Sequence, residues 1–290
     1  MKKKNIYRFL SLILFAFAGQ ACDNLPHEQF DKFVLMTRND FVDREIVYDP
    51  SGVVTTKVSV SINGSSKLSK DLPVEIEFFP DTLADYNFEK FRYDTASYYQ
   101  LFQDFEIPDP TTTILKGNEY AEIPVNIKVA QMDKFKDFIL PLRVKSAEGY
   151  PVASDYARVM LMHIVLKNNF SGNYATNATV NGAFNSLNRT LKVIDEKTCF
   201  TYTGDVEEKS DNADYRLYVS VSTDSIVSLT APNPEIQLQV ADPDPDLMVN
   251  VAKTLNNEFR IYMNYSYLDL ATNERKEYKG YISRIISEKK

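Results

Sequence analysis

The sequence has no tryptophan, two cysteines (Cys22, Cys199) and two histidines (His27, His163). Structural zinc sites of the usual tetrahedral kind take four ligands from cysteine and histidine. With Cys22 and His27 near the N-terminus, the rest of the chain offers one of each, so no metal site and no cofactor is expected. Cys199 sits in TCFTYTG, whose β-branched and aromatic residues read as a strand carrying a buried, inert thiol. His163, inside VMLMHIVL, reads as a sheet residue rather than a ligand. Lysine and arginine total 33 against 40 acidic residues, a net charge of −7, and no basic run follows the opening MKKK. Nucleic-acid binding requires a basic footprint, so it is excluded. Neither G-x-G-x-x-G nor a P-loop occurs. The apolar run at residues 9–18 has about ten residues, against the roughly twenty that span a bilayer as a helix.

What the N-terminus does contain is a basic stretch, that short apolar run and small residues, the layout of a secretory signal over residues 1–21. It ends Gly-Gln-Ala-Cys. That ending resembles the lipobox of bacterial lipoproteins, in which the cysteine is diacylated and becomes the first mature residue. Gly19 stands where an apolar residue is usual, a departure seen in Bacteroidota. An ordinary cleaved signal followed by an incidental cysteine is the alternative. Lipidation at Cys22 would remove an exposed thiol and supply a multi-chain anchor in outer-membrane lipid. Asp23, with Glu28 and Asp31 further along the tether (22–31), resembles in weak form the acidic signal that sends such lipoproteins to the outer leaflet. The expected location is the outer membrane, facing the exterior.

From about residue 32 the chain reads as short alternating strands: VSVSIN (58–63), LPVEIEFF (72–79), EIPVNIKV (122–129) and DFILPLRVKS (137–146). Period-two alternation of apolar side chains marks half-buried strands. ARVMLMHIVL (157–166) is apolar on both faces and reads as a central strand covered from both sides. Together these predict an immunoglobulin-like two-sheet β-sandwich over 32–166. Residues 81–105 break the rhythm with eight aromatic residues at spacings of three and four. They read as one or two short helices packed over the sandwich, with a glycan platform as the alternative.

The segments TILKGNEYAEIPVNIK and FILPLRVKSAEG resemble the N-terminal sandwich domain of surface lipoproteins from Bacteroidota polysaccharide-utilization loci. The match rests on Lys116, Gly117, Val125, Ile127, Phe138, Leu140, Pro141, Leu142, Ser146 and Gly149. Near Lys167 the stretch NNFSGNYA resembles the opening strand of a domain that follows the sandwich in those proteins. Beyond it RTLKVI, TCFTYTG, YRLYVSVS, SIVSLT and EIQLQV (235–240) read as a meander. The closing hairpin puts Phe259, Ile261, Met263, Tyr265 and Tyr267 on one face. An antiparallel, lipocalin-like barrel over 167–290 is expected, giving an all-β chain of two domains.

The resemblance implies a non-catalytic accessory that holds polysaccharide or oligosaccharide near outer-membrane import proteins. A structural or adhesive lipoprotein contacting such proteins is the alternative. Forty acidic residues make carboxylate pairs inevitable, so such pairs do not argue for glycoside hydrolysis, and an enzyme is not expected. Asp242, Asp244 and Asp246 alternate in ADPDPDLMVN. They lack the glycine and distal glutamate of a calcium loop, and an acidic solvated turn is the simpler expectation. Without tryptophan, tyrosine must supply any sugar-stacking face. On the outside of the final hairpin lie Tyr262 and Asn264. If the turn near Thr272 has an even number of residues, Tyr281 joins them within cross-strand reach. These three form the candidate glycan-binding patch, with ordinary surface packing as the alternative.

Overall fold

The computed structural model describes residues 31–286 apart from Ser65 and the side chain of Asp155. Cys22 and the rest of the lipobox-like segment lie outside the described residues. The chain is all-β. Ten strands precede the domain junction: β1 (Val34–Met36), β2 (Asp40–Val47), β3 (Val54–Ile62), β4 (Leu72–Phe78), β5 (Gln100–Leu101), β6 (Phe105–Glu106), β7 (Thr111–Ile114), β8 (Tyr120–Ile127), β9 (Phe138–Ala147) and β10 (Val159–Lys167). One sheet has the order β1-β3-β8-β6; the other runs β2-β10-β9-β4-β7, with β5 added to β9. Alternation explains the layering. Val58, Val60, Ile123, Val125 and Ile127 of the first sheet meet Val74, Ile76, Leu142, Val144, Met160 and Met162 of the second, all buried. Each such side chain contributes about 1.5–3 kcal/mol on burial.

The central strand β10 is covered on both faces, as its sequence indicates. Met160, Met162 and Ile164 enter the sandwich core, while Val159 and Leu161 pack with Ile139 and Leu83 under helix α1 (Asp81–Phe91). The aromatic segment 81–105 thus forms one helix, a single 3-10 turn (Thr95–Ser97) and the short strand β5, and ends where β6 begins. On its other side β10 pairs in parallel with β2, which neither turn signals nor clean alternation foretold. Pro141 in β9 is tolerated for a geometric reason. Its carbonyl accepts the Phe79 N–H at 3.1 Å, just past the end of β4. A strand residue presents its amide and carbonyl to the same side, so the missing donor leaves the β9–β10 ladder intact.

Residues 168–171 lead directly into the second domain. The Asn168 side chain accepts N–H bonds from Phe170 and Ser171 and donates to the Asp195 carbonyl, which fixes the entry angle. Its strands are β11 (Gly172–Val180), β12 (Ala183–Asn185), β13 (Arg189–Val193), β14 (Thr198–Tyr202), β15 (Arg216–Val221), β16 (Val227–Thr230), β17 (Gln239–Val240), β18 (Ala252–Leu255), β19 (Glu258–Asp269) and β20 (Glu274–Ile285). They curl in the order β16-β15-β14-β13-β11-β20-β19-β17, with β18 also on β19. A bridge between Ile226 and Val251 brings the β16 end to the β18 end, so the barrel nearly closes.

Tyrosines fill its interior. Tyr174, Tyr265, Tyr267 and Tyr278 are buried, and Tyr265 stacks on Tyr278 with ring centroids 4.9 Å apart. Tyr267 donates to Asp205 at 3.0 Å, and the Gly204 N–H donates to the Tyr265 hydroxyl at 2.9 Å, satisfying two of the polar tips that burial would otherwise penalise. One predicted strand is corrected. EIQLQV holds a 3-10 turn at Pro234–Ile236, begun by Pro234 and by the Asn233 side chain accepting the Glu235 N–H. Gln237 is left-handed at φ 43°, and only Gln239–Val240 pair as a strand.

Candidate functional site

The β19–β20 hairpin turns through residues 270–273, so Tyr262 sits directly opposite Tyr281. Their rings are 5.1 Å apart, tilted by 47°. The Arg260 guanidinium covers Tyr281 at 4.7 Å and is held by Glu258 at 2.9 Å, while Asn177 donates to the Tyr281 hydroxyl at 3.1 Å. Asn264 stands on the same face, two residues along from Tyr262 and opposite Lys279. The structure therefore brings the three candidate residues together on the outer wall. All three are half-buried, and the Tyr281 face is already occupied by Arg260.

The other candidates have structural partners. Asp244 accepts the N–H groups of Asp246 and Leu247 at 2.9 and 3.0 Å, which makes the acidic stretch a capped turn. Among the described residues no group of three or more His, Cys, Asp or Glu is arranged to hold a metal ion. Cys199 is fully buried in β14, and burial pushes its thiol up to about 12. His163 lies in the sheet, but at the seam between domains. Its Nδ1 is 2.7 Å from Asp43 and its Nε2 3.8 Å from Asp137, with the Phe41 and Tyr99 rings 5.4 and 5.3 Å away. Burial opposes its charge, yet the two carboxylates more than offset this and raise its pKa.

A larger feature lies where the domains meet, a cleft of about 790 Å³. One wall is the C-terminal end of α1 and the segment after it, presenting Phe91 and Tyr98, whose rings are 6.1 Å apart. Asn87 sets this wall. Buried in the helix, it donates to the Tyr99 carbonyl at 2.9 Å and accepts the Tyr99 N–H at 3.0 Å, tying helix to chain as a strand neighbour would. The floor is the loop 133–137. The opposite wall belongs to the barrel, where β13 gives Lys192, β14 gives Phe200 and Tyr202, and β15 begins with Arg216. Phe135 from the floor meets Phe200 edge-on at 5.0 Å, closing the base of the cleft with rings from both domains. The polar lining includes Gln100, Asp94 and Glu208. Sequence reasoning missed this site. Its aromatics come from distant segments, and the one available hint was the ring density of residues 86–105.

Comparison with known proteins bears on the fold. An N-terminal-domain family model matches residues 30–151, and a C-terminal-domain model matches residues 158–283. The chain carries both family domains. The C-terminal match starts with β10, which the fold assigns to the sandwich. Among solved structures, a Bacteroides ovatus protein of unknown function aligns with TM-score 0.70 and 20% identity, over 87% of this chain and 94% of its own. A multidomain protein including DUF1735, also from B. ovatus, gives TM-score 0.69 and 19% identity over 87% and 94%. An auxiliary nutrient binding protein from Bacteroides thetaiotaomicron gives 0.58 and 17% over 83% and 90%. No functionally curated protein matches. At these identities the likeness shows that the two-domain fold is shared.

Proposed function

We propose that this protein is a surface lipoprotein of a Bacteroidota polysaccharide-utilization system, anchored through Cys22, that holds glycan without cleaving it. The observation that carries the reading is the interdomain cleft. Small-molecule sites favour domain interfaces and run to about 300–1,000 Å³, with aromatic walls and a few polar groups, and this cleft has that size and make-up. Tyr98, Tyr202 and Phe135 offer ring surface for sugar faces, and Gln100 and the carboxylates offer acceptors and donors for hydroxyls. The shared fold of the auxiliary nutrient binding protein supports the same direction.

The test is affinity electrophoresis of the soluble form beginning after Cys22 against a panel of polysaccharides. Retardation by at least one glycan, abolished by Tyr202→Ala and kept by Tyr281→Ala, is the expected result. Loss with Tyr281→Ala instead would move the site to the outer barrel patch, and no retardation at all would contradict glycan binding. The competing role is contact with an outer-membrane protein. It is favoured by the exposed side chains of Phe184 (71% exposed), in β12, and Leu187 (40% exposed), just after it. The anchor has its own test: metabolic labelling with a radiolabelled fatty acid marks the wild type and misses Cys22→Ala.

A further inference from the structure

We propose that the cleft selects an acidic sugar, whose carboxylate or sulfate is received by Arg216. The inference rests on the reading of the cleft as a glycan site. Its starting point is a difference among the cations that line it. The Lys192 ammonium is engaged by both oxygens of Asp137 at 3.1 Å, Lys136 lies 3.7 Å from Asp133, and Lys209 pairs with Glu207. The Arg216 side chain has no hydrogen bond or ion pair among the described residues, and its Nε is shut off from solvent without a partner. A buried donor left unmatched is costly, and native structures rarely keep one without a reason.

The guanidinium is nonetheless held firmly. Its carbon lies 4.0 Å from the Phe135 ring centroid and 5.8 Å from that of Phe200, so two rings orient the plane at the base of the cleft while offering it no acceptor. A planar fork with fixed orientation and free N–H groups is the arrangement that receives a carboxylate or sulfate in a two-pronged fashion. The nearby carboxylates do not compete for it. Glu208 accepts the Thr190 N–H at 2.8 Å and the Thr201 hydroxyl at 3.3 Å, and Asp94 accepts the Ser97 hydroxyl at 2.6 Å. Tyr202, directly opposite Arg216 in the β14–β15 ladder, lines the same cleft and offers a ring for the pyranose that carries the acidic group.

The experiment is isothermal titration of the soluble protein with oligomers of galacturonate, guluronate and glucuronate, each beside its carboxyl-reduced counterpart, and with sulfated heparin fragments. The expected result is that at least one acidic oligomer binds at least about tenfold more tightly than its neutral counterpart, the scale of a charge-assisted hydrogen bond. Arg216→Gln should bring the two to equal affinity, with Arg216→Lys in between. Whether uronate or sulfate binds tells which acid is the source. Equal affinity of acid and reduced forms for the wild type overturns the inference and leaves the cleft a neutral-glycan site. Discrimination that survives in Arg216→Gln, with the melting temperature unchanged, also overturns it. Binding of none of these oligomers overturns the inference, while the glycan reading falls only if the polysaccharide panel also gives no retardation.

Discussion

The Lys192 ammonium of the barrel lies 3.1 Å from both carboxylate oxygens of Asp137 in the sandwich. On its other side Asp137 faces His163, which also bonds Asp43, so one chain of charges crosses the domain seam. The nearby His163 imidazole, helped by Lys192 and opposed by burial, holds the Asp137 carboxyl at about 2.

The signs of the two shifts set a pH window. His163 has a raised folded pKa, so its contribution is complete below the unfolded value of roughly 6.5 and fades as pH rises through the folded one. Asp137 has a depressed pKa; its contribution is present above the ordinary carboxylate range and is lost only on strong acidification. Asp137 and Lys192 are each about half exposed, so solvent screening limits the worth of their pair. Thermal melts of wild type and His163→Gln should therefore differ at pH 5.5 and converge toward pH 8. A gap that widens with rising pH would contradict this assignment.

Asn87 holds the cleft wall by replacing two backbone hydrogen bonds. Asn87→Ala leaves the Tyr99 N–H and carbonyl without those partners, at a cost of about 1–3 kcal/mol each at most. Urea unfolding should show lowered stability, and any glycan affinity should fall along with it because Tyr98 is the next residue. Unchanged stability and affinity would mean the wall is set by the buried Leu83 alone.

Gly280 makes the barrel ladder possible beside Tyr281. Its φ is +148°, and a Cβ there would lie 2.4 Å from both the Ala178 Cα and the Asn177 carbonyl oxygen. Both are backbone atoms of the neighbouring strand, so Gly280→Ala should cost more than about 3 kcal/mol, in the range reserved for severe steric conflict. A melting temperature within a few degrees of wild type would show that β11 and β20 can separate without penalty.

Much of the fold was legible because its physics is local. Alternation at Val58–Ile62 and Ile123–Ile127 follows from one buried face, and the double-sided apolar run at Val159–Ile164 follows from being central. The same logic put Tyr262 and Tyr281 within reach before the hairpin turn was known. It failed where alternation was accidental. Ile236, Leu238 and Val240 alternate, yet Asn233 and Pro234 impose a turn on the first half of that stretch. It also failed where geometry depends on separate segments meeting. Residues 133–136 fall between the strands read at 122–129 and 137–146, and nothing there says that Phe135 will meet Phe200 or cover Arg216. The parallel partnership of β2 with β10 is equally non-local, because residues 40–47 mix charged and apolar side chains on an edge strand.

The central claim is that glycan occupies the interdomain cleft, and the missing tryptophan offers a direct measurement. Because the chain has none, a single tryptophan introduced as Tyr202→Trp reports from the cleft against a background without indole emission, and Tyr281→Trp reports likewise from the outer barrel wall. Titration with a glycan that retards the wild type should shift and saturate the emission of the Tyr202→Trp protein and leave that of Tyr281→Trp unmoved. A saturable response from Tyr281→Trp with silence at the cleft would contradict the account.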